Sequence, residues 1–428
     1  MQWLMALLVG LGFAAAQVER WTGSPEYRSF AGAVTAAGAQ FDRSYAAVYP
    51  AQGAFRGTLI FIPGFLGGAG NFEALARRLL PAAPGWEVWV WDRRANGLED
   101  RSGFNQPDPW AYYQSYKLPQ LPFLKDWGLK VHLDDLEALV RQARARGPVV
   151  LAGHSLGASI AGLYALYRPE SINGLIFLDG ALRPTATTRE QYEGGGSNAF
   201  GRTAGLNELL AGQALPYISL FGLDPVAFAQ AEAQAFVAAR SPQADAPPGW
   251  APFRASRIAA ALYRVDERYQ PLAAFKVSVG RASGREGISL VSLILGSPAY
   301  TVRGPRGGRV EWLDTGEPTD PLEFLQLYAN PVTGFSEWFF PYRLTLDVGN
   351  WRWAMPELQP RTTPYPVLSL GAGRGLLPSP ESFRGVAEVF PNTPQTVQIL
   401  PGLTHLDILT SRDGAAVGPI AGYLRGVR

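Results

Sequence analysis

The chain has 428 residues, 47% hydrophobic and 17% charged, which is enough to bury a large core and too apolar for an unfolded chain. A net charge of +2, with the basic residues scattered and mostly Arg, argues against a nucleic-acid partner. With no cysteine there is no disulfide or thiolate site, and three histidines (His132, His154 and His405) leave little for a histidine-based metal centre.

The N-terminus reads MQWLMALLVGLGFAAAQ. Its apolar run, Trp3 to Phe13, is about 11 residues, too short to span a bilayer and suited to the core of a signal peptide. Ala14 and Ala16 supply the small residues of a cleavage site, so residues 1–16 are expected to be a leader and the mature chain secreted or periplasmic. The stretch before the apolar run carries no Lys or Arg, a departure from the usual leader. Residues 17–56 offer two edge strands at most.

From there the chain alternates. Thr58–Ile62 reads as a buried strand, Pro63–Gly70 as a glycine-rich loop, and Asn71–Leu80 as a helix with Phe72, Leu75, Leu79 and Leu80 inward. The loop has neither G-x-G-x-x-G nor G-K-[ST], so it is not a dinucleotide or phosphate loop. Trp86–Trp91 is a strand ending at Asp92, which pairs most simply with a loop. An aromatic loop at 98–130 leads to a helix at 131–146. Then PVVLAGHSLGASIAG places Ser155 between a short apolar strand, Pro148–Ala152, and a helix of small residues. Two readings compete there: a strand-to-helix turn whose glycines serve close packing, and a nucleophile elbow that lifts a serine hydroxyl clear of the backbone. Gly174–Leu178 is another buried strand, ending at Asp179. Such alternation, with continuous apolar strands, indicates a mostly parallel sheet covered by helices on both faces.

Between 181 and 363 that rhythm dissolves into a glycine-rich EGGGSNAFG, an alanine-rich helical stretch at 225–240, a proline-rich break and many aromatics. It returns at YPVLSLGAGRGLLP (365–378), followed by a helix at 380–390, a strand at Thr396–Leu400 and PGLTHLDIL. Residues 17–180 and 364–428 are therefore expected to form one core, and 181–363 a cap inserted after the strand that ends at Asp179. Trp250, Trp312, Trp338, Phe339, Phe340, Trp351 and Trp353 either line a pocket or lid facing lipid, or fill the core such an insertion needs.

IPGFLGG, WDRRANG, AGHSLGA, IFLDGAL, VLSLGAGRGLLP and GLTHLDIL, in this order and spacing, resemble the α/β-hydrolase fold superfamily. The resemblance covers about 55–180 and 364–428; the cap has no recognised counterpart. It implies Ser155 as nucleophile and His405, after the last strand, as the base that takes and returns its proton. Its common acid position falls in GAGRG, where this chain has Arg374. Members that carry the acid one strand earlier point to Asp179, with Glu381 and Asp407 as distant alternatives. Leu156, next after the nucleophile, and Phe65, in the Pro63-Gly64-Phe65 turn, are the implied oxyanion donors. His154 and His132 read as structural. The resemblance to serine esterases and lipases implies cleavage of carboxylic esters through an acyl-enzyme, with no cofactor or metal, and lipid-surface contact through the cap. A peptidase, or a silent fold used for binding at the envelope, are the alternatives; the displaced acid is the feature that favours the silent one.

Overall fold

The computed structural model describes residues 25–198, 201–219, 222–289 and 299–427, so the leader expected at 1–16 lies outside the described residues. Eight strands build the central sheet: β1 (Glu26–Ala31), β2 (Arg43–Tyr49), β3 (Gly57–Ile62), β4 (Trp86–Asp92), β5 (Val149–His154), β6 (Gly174–Leu178), β7 (Val367–Ala372) and β8 (Gln395–Leu400). Their spatial order is β1-β2-β4-β3-β5-β6-β7-β8. The first two pairings, β1 with β2 and β2 with β4, are antiparallel, and every later neighbour is parallel. The inner strands β3, β4, β5, β6 and β7 are buried at every position, as a sheet covered on both faces requires.

The helices that matter here are α1 (Glu73–Ala82), α2 (Leu129–Arg144), α3 (Leu156–Tyr167), α4 (Pro225–Arg240), α5 (Pro321–Tyr328) and α6 (Val417–Arg425). Alternate residues of β3 point to opposite faces, so Leu59 and Phe61 pack with Leu75 and Leu79 of α1 and Ile420 and Leu424 of α6. Ile60 and Ile62 pack instead with Leu133 and Leu136 of α2 and Ile160 of α3. The chain between β6 and β7 contributes α4, α5, several shorter helices and small two-stranded ribbons. Phe228, Phe324, Trp338 and Phe339 from it join the core on the α2 and α3 face.

Several details differ from the sequence expectation. The segment at 98–130 is not one loop: Asp108 accepts from the Ala111 amide at 3.0 Å and Pro109 opens a short helix, Pro109–Gln114. Helix α2 starts at Leu129, two residues earlier than expected, because Asp347 accepts from the Leu129 amide at 3.0 Å. That capping carboxylate comes from far along the chain, which sequence-local reasoning does not see. On α1 the inward side chains are Leu75 and Leu79, with Phe72 just before the helix, while Leu80 is only half-buried.

Gly153 and Gly157 hold β5, α3 and β3 together at van der Waals limits. A Cβ on Gly153 would lie 2.1 Å from the Gly157 carbonyl oxygen, and one on Gly157 the same distance from that of Ile62. Both obstacles are backbone and cannot swing aside. Gly157→Ala is therefore expected to cost about 1–3 kcal/mol or more, seen as a lower denaturant midpoint at unchanged m-value; an unchanged midpoint would refute this packing account.

Candidate active site

Ser155 sits at the junction of β5 and α3 with φ 56° and ψ −124°, a conformation a non-glycine residue adopts only when its surroundings impose it. They do: a Cβ on Gly64 would lie 2.8 Å from Ser155 Cβ, and one on Gly180 2.3 Å from the Ser155 carbonyl oxygen. The turn leaves Ser155 half-buried on the wall of a cavity of about 200 Å³. His405 opens onto the same cavity.

Asp179 also has positive φ, 39°, immediately after β6. Its Oδ2 lies 2.6 Å from His405 Nδ1, with both side chains buried. Three amides complete its shell: Leu376 donates to Oδ2 at 2.8 Å, Leu377 to Oδ1 at 2.9 Å and Ala372 to Oδ1 at 3.1 Å. Burial pushes against the charge, but the His405 contact and the amides outweigh it and hold the carboxyl below its ordinary range. The loop that carries the acid in the commoner arrangement thus supplies its amides to an acid placed one strand earlier. A Cβ on Gly375 would fall 2.1 Å from Asp179 Oδ2, so this loop must pass bare. Arg374 turns away, to the Gly402 carbonyl at 2.9 Å through Nε and to Glu267 at 2.7 Å.

The two alternative acids are engaged elsewhere or exposed. Asp407 accepts from Thr404 N (2.8 Å), Ser278 N (2.9 Å) and Thr319 Oγ1 (2.8 Å). It therefore clamps the His405 loop to the chain between β6 and β7 rather than orienting the imidazole. The Leu406 amide strengthens the clamp by donating to Lys276 O at 3.1 Å. Glu381 is solvent-exposed.

Phe65 lines the cavity beside Gly64, and Leu156 opens α3, where a helix leaves its first amides without intrahelical acceptors. Arg93, which sequence reasoning passed over, underlies this turn. Its guanidinium is buried and donates to the carbonyls of Pro63 (2.7 Å), Gly64 (2.9 Å) and Gly67 (2.9 Å). The WDRR run is its only sequence signal. Asp92 binds the next stretch of that loop, accepting from the Ala69 amide at 2.5 Å and from Tyr27 Oη at 2.7 Å. Burial pushes its carboxyl up to about 7.

The remaining cavity wall is mostly apolar, with Leu66, Leu223, Phe228, Phe275 and Phe335 beside polar Asn71, Ser336, Arg264 and Gln270. None of the seven aromatics singled out in the sequence lines it. Trp250, Trp338, Phe339, Phe340 and Trp351 are buried in the core, Trp312 is half-buried, and Trp353 is exposed.

Residues 57–206 match the family model described as alpha/beta hydrolase fold. No curated protein matches the chain. Among solved structures, epoxide hydrolase A from Mycobacterium thermoresistibile is 16% identical with a TM-score of 0.48, covering 95% of this chain and 99% of its own. A putative lipase from Sulfolobus solfataricus is 15% identical at 0.48, covering 92% and 91%. A thermophilic esterase from Thermogutta terrifontis is 14% identical at 0.44, covering 94% and 98%.

His154 packs its ring against that of His405, centroids 4.3 Å apart, and its Nε2 lies 3.0 Å from the His405 carbonyl oxygen. A carbonyl only accepts, so Nε2 carries the proton and Nδ1 does not. Burial, then the neighbouring His405, lowers its pKa from 6.5 to about 3. The folded state refuses a proton that the unfolded chain takes up, so this contribution to stability is full above about pH 6.5 and is lost progressively as pH falls toward 3. His154→Gln removes the titration, and the acid limb of stability should flatten by about 1.4 kcal/mol per pH unit. Denaturant titrations at pH 7, 5.5 and 4.5 measure this; identical slopes in both proteins would refute a neutral His154.

Proposed function

We propose that this chain, whose core belongs to the α/β-hydrolase fold superfamily, is a serine hydrolase that cleaves carboxylic esters through an acyl-enzyme. The observation that carries the reading is the buried 2.6 Å contact between Asp179 Oδ2 and His405 Nδ1, with His405 and Ser155 facing one cavity. Asp179 accepts from Nδ1–H and thereby leaves Nε2 as the basic nitrogen. Nε2 takes the Ser155 hydroxyl proton as Oγ attacks the ester carbonyl, and it returns that proton to the departing alcohol. Negative charge on the carbonyl oxygen falls to the Phe65 and Leu156 amides. Water, deprotonated by the same nitrogen, releases the acid in the second half. Because Asp179 stays ionised, the imidazolium formed at each attack has a charge partner that costs no reorganisation.

The expectation of a silent binding fold rested on a displaced acid; the Asp179–His405 contact favours the active reading. The apolar cavity of about 200 Å³ is below the usual range for drug-sized ligands and suits short acyl groups. Export through residues 1–16 is part of the proposal and rests on the leader sequence alone.

p-Nitrophenyl butyrate should be hydrolysed faster than the palmitate ester. Ser155→Ala should abolish turnover and labelling by a fluorophosphonate, while Asp179→Asn should lower kcat by about 10²–10⁴ with the fold intact by circular dichroism. Equal turnover by wild type and Ser155→Ala would sink the nucleophile assignment; undiminished kcat in Asp179→Asn would sink the acid.

A further inference from the structure

We propose that residues 334–337, in the chain between β6 and β7, form a strap that sets the direction of the oxyanion amide, with Glu337 as a positioning residue acting through Arg93. This deepens the serine-hydrolase reading and rests on it. The strap lies antiparallel along the glycine-rich loop. Gly68 N donates to Phe335 O at 2.9 Å, Gly70 N to Gly334 O at 2.8 Å, and Glu337 N to Leu66 O at 2.9 Å, with Gly67 and Ser336 bridged between them. A Cβ on Gly68 or Gly70 would come within 2.7 or 2.6 Å of the Gly334 oxygen. Those two glycines therefore admit a neighbouring backbone, which accounts for a loop that fits no phosphate-binding pattern.

The same strap brings Glu337 to Arg93. Oε2 of Glu337 accepts from Arg93 Nε at 2.6 Å, and both side chains are wholly buried. Arg93 in turn donates to Gly64 O at 2.9 Å. The Gly64 carbonyl and the Phe65 N–H belong to one planar trans peptide and point in opposite directions. Pinning the oxygen on the Arg93 side therefore turns the N–H to the other side, toward the cavity that Gly64 and Phe65 line. Pro63 O and Gly67 O, held by the same guanidinium, fix the turn at both ends. Without the Glu337 charge, the buried Arg93 loses its counterion and the fixed fork that aims this peptide.

An amide that matters only as charge develops on the substrate affects kcat more than KM. The test compares wild type, Glu337→Gln, Glu337→Asp and Glu323→Gln in hydrolysis of p-nitrophenyl butyrate, with thermal unfolding alongside. Glu323 pairs with Arg78 at 2.6 Å and ties the same part of the chain to α1 without touching the oxyanion turn. Glu337→Gln is expected to lower kcat at least tenfold with KM within about threefold. Glu337→Asp, which keeps the charge, should recover part of the loss, and Glu323→Gln should keep the wild-type kcat whatever its unfolding temperature. Unchanged kcat in a folded Glu337→Gln, an effect confined to KM, or an equal fall in Glu323→Gln overturns the strap while Ser155-dependent turnover by wild type leaves the serine-hydrolase reading standing. Turnover that survives Ser155→Ala overturns both.

Discussion

Three backbone segments meet around Ser155 at distances that leave no room for a side-chain carbon, and the rest of the site depends on that crowding. Gly64 comes from the loop after β3, Gly153 and Gly157 from the elbow itself, and Gly180 from the exit of β6. Each bare position lets another segment close in, and together they hold a serine at φ 56° that no local preference would choose. The strain is sustained by a mostly parallel sheet whose inner strands are buried at every position, so burial is wide enough to absorb a few strained residues.

Electrostatics follow from the same geometry. Asp92 and Asp179 both end parallel strands and both are buried, yet burial drives one up to about 7 while the other lies below its ordinary range. The difference is in partners. Asp179 accepts from an imidazole and three amides, and Asp92 from one phenol and one amide. Desolvation penalises both charges, and only the richer set of donors repays it. A carboxylate that must remain charged beside a histidine needs this kind of shell.

The chain between β6 and β7 is fastened to the core by buried polar contacts as well as by apolar packing. Arg93 meets Glu337, Asp407 reaches Ser278 and Thr319, and Asp347 caps α2. Buried charge pairs are costly to separate, because each partner is left desolvated and unpaired. These contacts fix the walls beside Phe65 and His405, and a lid that swings as a whole would have to break them.

Much was legible in the sequence. Apolar runs bounded by glycine located β3, β5 and β6, because burial on both faces selects mostly apolar residues, and the tight strand-to-helix turn showed itself through glycines flanking one serine. Ser155, His405 and Asp179 could be named from the order of motifs, and the structure brings Asp179 to His405. Boundaries failed where a distant side chain decided them, as Asp347 does for α2. The aromatics between 181 and 363 were countable but not assignable, since core and pocket draw on the same residue types. Arg93 and Glu337 stand 244 positions apart and carried no shared signal, although their contact governs the turn at Gly64. Short-range pattern determined the strands, the tight turn at Ser155 and the candidate nucleophile; long-range pairing of buried charges and backbone was decided only by the folded chain, because a hydrogen bond is set by position in space and not by spacing in sequence.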